Sequence, residues 1–467
     1  MFISKFACFL ELNNLMNIKK GIRTQRGAKL NLKGSAEKII SNKIPSSTYA
    51  LNPDDFFGLI PKLSVNEGDI VKAGDPVFFN KKEPRIKIVS PVSGTIKSIN
   101  RGAKRKIEQI IIESDGNNEI RSHKVDQWET LGRKELISLL LESGSWPFIK
   151  QRPYGTIANP DDFPNAIFVS TIDTAPLGAD FQYILEKNYD NFKTGLTVLN
   201  SLVEQAVFLG IDAAFSKPFE NIKNVQKYTV SGPHPAGNLS LHIQELNPIN
   251  MGDKVWTVNA EDVANIGNFV LTGVQDLKRT VALAGSAIKY PKYFSVNIGI
   301  ELSPMLSEVT ITKDQVRCIN GDVLSGSTSR KNGYLGYYNN TVSVIPEGND
   351  YRMFGWLPFK DNHILSLSNT SFSKFFNKKG FSVDTNLNGE ERALVVTGEM
   401  EKVFPLDLFP MQLIKACMIE DIEKMEALGI YEVVPEDFGL IDYANTSKLE
   451  AQEIIKQGIE LMINEVG

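Results

Sequence analysis

Four histidines (His123, His234, His242 and His363) and three cysteines (Cys8, Cys318 and Cys417) are the residues best suited to metal or nucleophilic chemistry. The cysteines lie far apart and form no C-x-x-C. That spacing argues against a disulfide framework, an iron–sulfur centre and a zinc thiolate site, and it fits a reducing cytoplasm. His234 and His242 are eight residues apart in SGPHPAGNLSLHIQELNP, with Glu245 nearby. Two imidazoles and a carboxylate could hold a metal, but no third ligand is fixed, and the proline-rich context implies an ordered structural loop built around His234, Pro235, Gly237 and His242. No Ser/His/Asp order and no catalytic carboxylate pair stands out. No residue is therefore assigned a catalytic, cofactor-binding or metal-binding role.

Glycine spacing limits nucleotide chemistry in the same way. No two of the 35 glycines are separated by a single residue. Dinucleotide and flavin loops of the G-x-G-x-x-G type need such close glycines so that backbone N–H groups can approach phosphate. Lysine chemistry remains. The stretch NEGDIVKAGDPVFFNKKEPRIKIVSPVSGTI, residues 66 to 96, resembles the folded tip of biotinyl and lipoyl carrier domains, which hold their modified lysine in a tight β-turn. Lys81 and Lys82 occupy the corresponding tip. Neither Met-Lys-Met nor Asp-Lys-Ala occurs there, so the two read as solvated turn residues.

The elements that must position these residues follow from hydropathy and turns. At 467 residues, with 42% hydrophobic and 23% charged residues, the chain should divide into three or four domains. No window approaches the ~18 or more apolar residues of a membrane span. Residues 1 to 15 read as a dispensable extension without a signal-peptide pattern, Met16 being a second possible start. From 59 to 113, short alternating runs (GDIV, PVFF, RIKIVS, GTIKSIN, KIEQIIIE) are bounded by Gly68-Asp69, Gly74-Asp75 and Pro91 to Gly94, which predicts a flattened barrel or sandwich. Beyond 116 strands and helices alternate. KELISLLLES stops at Gly144; NAIFVSTID, AVFLGID and KYTVSG are strands; Phe192, Leu196, Leu199 and Val203 mark one helix face; EDVANIGNFVLTG is a further helix.

RTVALAGSAIKYPKYFSVNIGIELSPML predicts strand, turn at Pro291, strand and short helix, followed by SGSTSRKNGYLGYYNN as loop. In the C-terminal part, Leu413, Ile414, Cys417, Met418, Ile422, Met425 and Leu428 predict one apolar helical face. Ser447 to Glu450 reads as a capping box opening a last helix with Ile454, Ile455, Ile459, Met462 and Ile463. The expected organisation is an α/β multidomain chain. It comprises an extension (1–15), a barrel-sandwich hybrid domain with an N-terminal arm (16–116), a Rossmann-like domain without the glycine-rich loop (117–277), a β-grasp, SLBB-like unit (278–330), and a mixed, largely helical C-terminal region (331–467).

Net charge is −4 but uneven: residues 1–115 hold 20 Lys/Arg against 11 Asp/Glu, and residues 401–467 hold 5 against 14. The basic end suits an anionic surface or an acidic protein partner, although solvated surface explains it equally well. Lys19, Lys20, Arg101, Lys104, Arg105 and Lys106 are the candidate docking residues.

MNIKKGI, the segment LIPKLSVNEGDIVKAGDPVFFNKKEPRIKIVSPVSGTIKSINRGAKR, VSGPHPAG, VWTVNAEDVANIGNFVLTG and GEMEKVFPLD resemble, in order over residues 16 to 467, the A component of the Na+-translocating NADH:quinone oxidoreductase family. The resemblance implies a six-subunit respiratory complex that passes electrons from NADH through FAD, FMN, riboflavin and iron–sulfur centres to quinone while pumping Na+ outward. This chain would be its peripheral cytoplasmic subunit without a redox cofactor. Its partners would be subunits B to F, chiefly the membrane component B near the quinone site, with no nucleic acid. Two departures from the family stand out: His242-Ile243-Gln244 where a His-x-His is common, and GLIDYANTSK where many members carry cysteines. The alternatives are an Rnf-type electron-transfer subunit or a biotinyl- or lipoyl-like carrier, with Lys81 or Lys82 modified.

Overall fold

The computed structural model describes residues 21–42, 44–214, 219, 221–348, 364–367 and 380–466. Cys8, Met16, Lys19, Lys20 and His363 lie outside them. Among the described residues, the N-terminal unit consists of two small sheets. One orders β3 (Thr48–Leu51), β9 (Ile107–Ser114), β8 (Gly94–Arg101) and β5 (Ile70–Val71); the other orders β4 (Pro61–Leu63), β6 (Pro76–Asn80) and β7 (Lys87–Val89). The paired glycine turns form as expected. Gly68 and Gly74 adopt φ of +88° and +91°, and the following aspartates close each turn: Asp69 accepts from the Asn66 N–H at 2.7 Å and Asp75 from the Lys72 N–H at 2.9 Å. Val77, Phe78, Ile88, Ile96, Ile110 and Ile112 fill the space between the sheets.

The arm preceding this unit leaves it and edges two other sheets. β1 (Gly21–Arg23) pairs in parallel with β14 (Gln226–Ser231). β2 (Glu37–Asn42) pairs in parallel with β18 (Lys292–Asn297). The first of these sheets has the order β1-β14-β13-β12-β15-β10-β11, with β13 (Val207–Asp212), β12 (Ala166–Ser170), β15 (Val255–Asn259), β10 (Ile149–Arg152) and β11 (Thr156–Ile157). Its centre is parallel and its β10-β11 edge antiparallel. Helices α1 (Arg133–Ser143), α2 (Phe181–Leu185), α3 (Tyr189–Leu202), α4 (Leu239–Leu246) and α5 (Ala260–Thr272) flank it.

Gly144 ends α1 at φ +77°. Phe192, Leu196 and Leu199 are buried on α3, but Val203 lies past the helix end in extended backbone. Glycines let α3 and α5 touch: a Cβ on Gly195 would stand 1.9 Å from the Val263 carbonyl oxygen, and one on Gly267 1.8 Å from that of Asn191.

The second large sheet runs β2-β18-β16-β22-β20-β21, with β16 (Lys278–Ala284), β22 (Thr341–Pro346), β20 (Val316–Asn320) and β21 (Ser327–Ser329). Beside it β17 (Ile288–Lys289) pairs with β19 (Thr310–Ile311), and α6 (Leu302–Ser307) is the expected short helix. The Gly/Asn-rich stretch after residue 325 is more than loop. It supplies β21, and its Leu335 and Tyr337 are buried because Phe56 and Phe148 pack against the Tyr337 ring.

Among the described residues, five α-helices follow: α7 (Glu399–Val403), α8 (Pro410–Met418), α9 (Ile422–Ala427), α10 (Gly439–Ala444) and α11 (Ala451–Glu465). The expected continuous apolar face is broken here. Glu420 turns at φ +56° and Asp421 caps a new helix by accepting from the Lys424 N–H, which leaves Met418 58% exposed. The capping box also fails. Ser447 donates instead to the Ala393 carbonyl, and the Ala451 N–H is taken by Asp442 at 2.6 Å. Ile455, Ile459 and Met462 are buried as read, with Ile454 and Ile463 only partly covered. No described helix is long and apolar enough to cross a membrane.

Candidate functional site

The candidate residues occupy three places. The first is the hairpin joining β8 to β9, the two longest strands of their sheet. Lys104 and Arg105 both take left-handed backbone, at φ +52° and +62°. This tight reversal leaves the Arg101, Lys104, Arg105 and Lys106 side chains exposed. Their partners differ. Lys106 is 2.7 Å from Asp54 and Arg101 donates to the Arg105 carbonyl at 3.2 Å, whereas Lys104 and Arg105 make no ion pair with a described side chain. The carrier-like tip belongs to the same unit, in its other sheet. Lys81 and Lys82 are exposed there, and Arg85 is bound to Glu83 and, at 2.6 Å, to Asp161 of the α/β unit. The tip is thus tied down beside its two lysines.

The second place is the His234–His242 loop. His242 is wholly buried at the start of α4; its Nε2–H donates to the Ala236 carbonyl at 2.8 Å, so its Nδ1 accepts from the Tyr228 hydroxyl at 3.0 Å. Burial pushes its pKa down to about 4, against a smaller upward effect of the Ala236 bond, and pushes that of Tyr228 up. Thr174 Oγ1 accepts from the Gly237 N–H at 2.9 Å and lies 3.3 Å from His234 Nδ1. His234 is 7% exposed; its pKa is lowered by burial and pulled up in part by Asp322 and Glu436. The two histidines therefore brace a turn onto the strand ends. No described group of three or more His, Cys, Asp or Glu residues could hold a metal ion.

The third place escaped the sequence reading. In the parallel sheet the chain steps from β12 to β13 and β14 on one side, then to β15 on the other, so the crevice beyond β12 and β15 is where such sheets bind ligands. At this point α5 begins, and its first turn carries Glu261 and Asp262, both buried. Arg279, which is fully buried, reaches Asp262 at 2.7 Å and Glu261 at 3.7 Å, and donates to the Tyr337 carbonyl at 3.0 Å. Glu261 also accepts from the Thr280 N–H and from Asn340. The helix end that would attract a phosphate is filled by the chain's own carboxylates.

Beside it Lys150 lies 3.8 Å from the Tyr338 ring centroid, its ammonium destabilised chiefly by burial. Asp55, which accepts from the Tyr337 N–H at 3.0 Å, has its pKa raised to about 6, mainly by burial. The available signals were a lysine and an arginine alternating in the strand IKQR, and an arginine immediately before the apolar run TVALAG.

Comparison with known proteins gives the family. Residues 22–115 match the NqrA N-terminal barrel-sandwich hybrid domain, 131–275 the NqrA second alpha/beta domain, and 280–331 the NQRA C-terminal domain. The A component of the Na(+)-translocating NADH-quinone reductase of Neisseria meningitidis serogroup B is 34% identical over 448 residues, covering 95% of this chain and all of the relative. The chain belongs to the NqrA family, the A component of Na+-translocating NADH-quinone reductases. The NqrA relatives from Pasteurella multocida and Psychromonas ingrahamii are 35% and 33% identical, each over 94% of this chain and 98% of the relative. A chain of an NAD+-reducing [NiFe]-hydrogenase aligns with a TM-score of 0.37 at 11% identity, over 74% of this chain and 65% of that one. For a member of the NqrA family, the barrel-sandwich hybrid and α/β units were legible in the sequence and match the family domains.

Proposed function

We propose that this chain is the peripheral NqrA component of a six-subunit complex that oxidises NADH, reduces quinone and exports Na+. It would sit on the cytoplasmic face and dock on the membrane component B near the quinone site. The observation that carries the docking reading is the β8-β9 hairpin. Two consecutive left-handed residues, Lys104 and Arg105, hold cations that pair with no described carboxylate out from a rigid two-stranded support. Exposed charge of this kind speeds and orients association with an anionic partner. Lys106 and Arg101 flank it, and Lys19 and Lys20 belong to the same proposal from sequence alone.

The reading that this chain holds no redox cofactor is supported by the acidic first turn of α5. On this reading the α/β unit keeps a Rossmann-like plan for shape rather than for nucleotide, the unit after residue 278 serves as a β-grasp, SLBB-like brace, and FAD, FMN, riboflavin and the iron–sulfur centres belong to the other subunits. Reversing Lys104, Arg105 and Lys106 together to glutamate should reduce the yield of component B recovered with this chain at moderate salt. Unchanged recovery would refute the docking role. The purified chain should also be colourless; a flavin or iron–sulfur absorbance would refute the cofactor-free reading.

A further inference from the structure

A cavity of about 270 Å³ lies on the seam between the α/β unit and the neighbouring sheet, away from the hairpin and the histidine loop and bordering the crevice cluster at Glu261 and Thr280. The α2–α3 segment and α5 wall it on one side, and β2, β16 and β18 on the other. Seams of this kind are a usual place for small-molecule sites, which combine an apolar floor with a few convergent polar groups. Here Ile184 and Ala264, each 3% exposed, form part of the floor. The polar groups are mainly carboxamides: Asn188 and Asn191 from the start of α3, Asn265 and Asn268 from α5.

These carboxamides are only lightly used within the chain. Asn191 and Asn268 approach each other at 3.5 Å, the outer limit of a hydrogen bond, and Asn265 donates to the Lys278 carbonyl at 3.3 Å. The Asn188 side-chain amide and the Ser295 hydroxyl make no hydrogen bond with a described residue. The charged groups at the rim are matched in part: Lys278 holds Asp276 at 3.0 Å and Glu261 is committed to Thr280, Asn340 and Arg279, while the exposed Lys187 makes no ion pair with a described side chain. The groups lining the interior are neutral carboxamides, so they favour an uncharged ligand, with Lys187 at the exposed rim. A carboxamide offers a donor and an acceptor side by side, which matches the paired acceptor and donor of a planar base or of another carboxamide.

We propose that this cavity binds a small neutral planar molecule through its adjacent donor and acceptor, the chemistry shared by adenine and by the carboxamide of nicotinamide. The site is independent of the docking role, because none of its lining residues belongs to the hairpin.

The test uses the full-length chain, with adenosine and nicotinamide as separate probes in calorimetry and in crystal soaks. At least one should bind with a dissociation constant of about 1 mM or tighter and appear in the cavity of the wild-type crystal. Whichever binds identifies the source of the shared edge. The Asn188→Leu/Asn268→Leu double variant and the space-filling Ser295→Leu variant should each weaken it at least about tenfold, with unchanged circular dichroism. The proposal is overturned if neither probe binds the wild-type chain at about 10 mM, if the soaks place it elsewhere, or if both folded variants bind like wild type.

Discussion

The β8-β9 hairpin and the His234–His242 loop both carry residue types that invite a functional reading, and the structure uses them in opposite ways. In the loop each imidazole is turned inward onto a hydroxyl or a carbonyl, and His242 has neither ring nitrogen free. In the hairpin Lys104 and Arg105 are held out in solvent on strained backbone. Residue type announces a capacity, but packing decides whether that capacity is left over for a partner. The Glu261/Asp262/Arg279 cluster is the extreme of the inward kind, with two carboxylates held by one guanidinium and by the Thr280 and Asn340 donors in place of a ligand.

If the inward groups are structural, breaking them should cost folding stability. Arg279→Met should be the most damaging change, because it leaves Glu261 and Asp262 buried without a counter-charge, at a cost of about 3–5 kcal/mol. Urea denaturation would measure it. Adding Glu261→Gln and Asp262→Asn should restore part of the loss, since the uncompensated charge is then gone. A small loss for Arg279→Met alone would mean that the crevice admits water or ions, and would reopen the case for a ligand there.

The histidine loop yields a smaller effect with a definite sign. The folded-state pKa of His242 is about 4, below its ordinary value of 6.5, so the unfolded chain binds more protons between those limits. The contribution of neutral, buried His242 is therefore present above pH 6.5 and lost as pH falls towards 4, by up to about 3 kcal/mol. Asp442 and Asp55, both raised to about 6, act with the opposite sign, their contribution fading as pH rises through 6. The measurement must therefore be a difference. The stability gap between wild type and His242→Gln should shrink as pH falls from 6.5 to 4, and a pH-independent gap would show that the imidazole is not held neutral.

The sequence was most legible where local rules act without competition. Paired Gly-Asp turns gave the barrel-sandwich hybrid unit, and continuous apolar runs gave the parallel strands. It was least legible where distant segments meet. The apparent helix face from Leu413 to Leu428 is split because Asp421 caps a second helix, and the Ser447 capping box loses to Asp442, nine residues before the N–H it accepts. Arg279 and Glu261 are 18 positions apart in a strand and a helix. Nothing local marks them as partners, and the Asn188/Asn268 cavity is assembled from α2, α3, α5 and three strands of the second large sheet, segments far apart in sequence.

The hairpin gives the smallest stability effects and the sharpest separation of roles. Lys106→Glu breaks only a surface pair with Asp54, whose side chains are 61% and 60% exposed, so it should cost about 0–1 kcal/mol. Lys104→Gly/Arg105→Gly should go the other way. Glycine removes the cost of two left-handed residues, offset by the greater freedom of the unfolded chain, for a net gain of about 0.5 kcal/mol. The same double variant removes both protruding cations, so component B should be recovered less well with a chain that melts slightly higher. Lys106→Glu, whose charge is already matched by Asp54, should weaken recovery less. If the glycine variant is more stable and still retains component B, the hairpin is an exposed turn without a partner, and its contrast with the histidine loop reduces to one of burial.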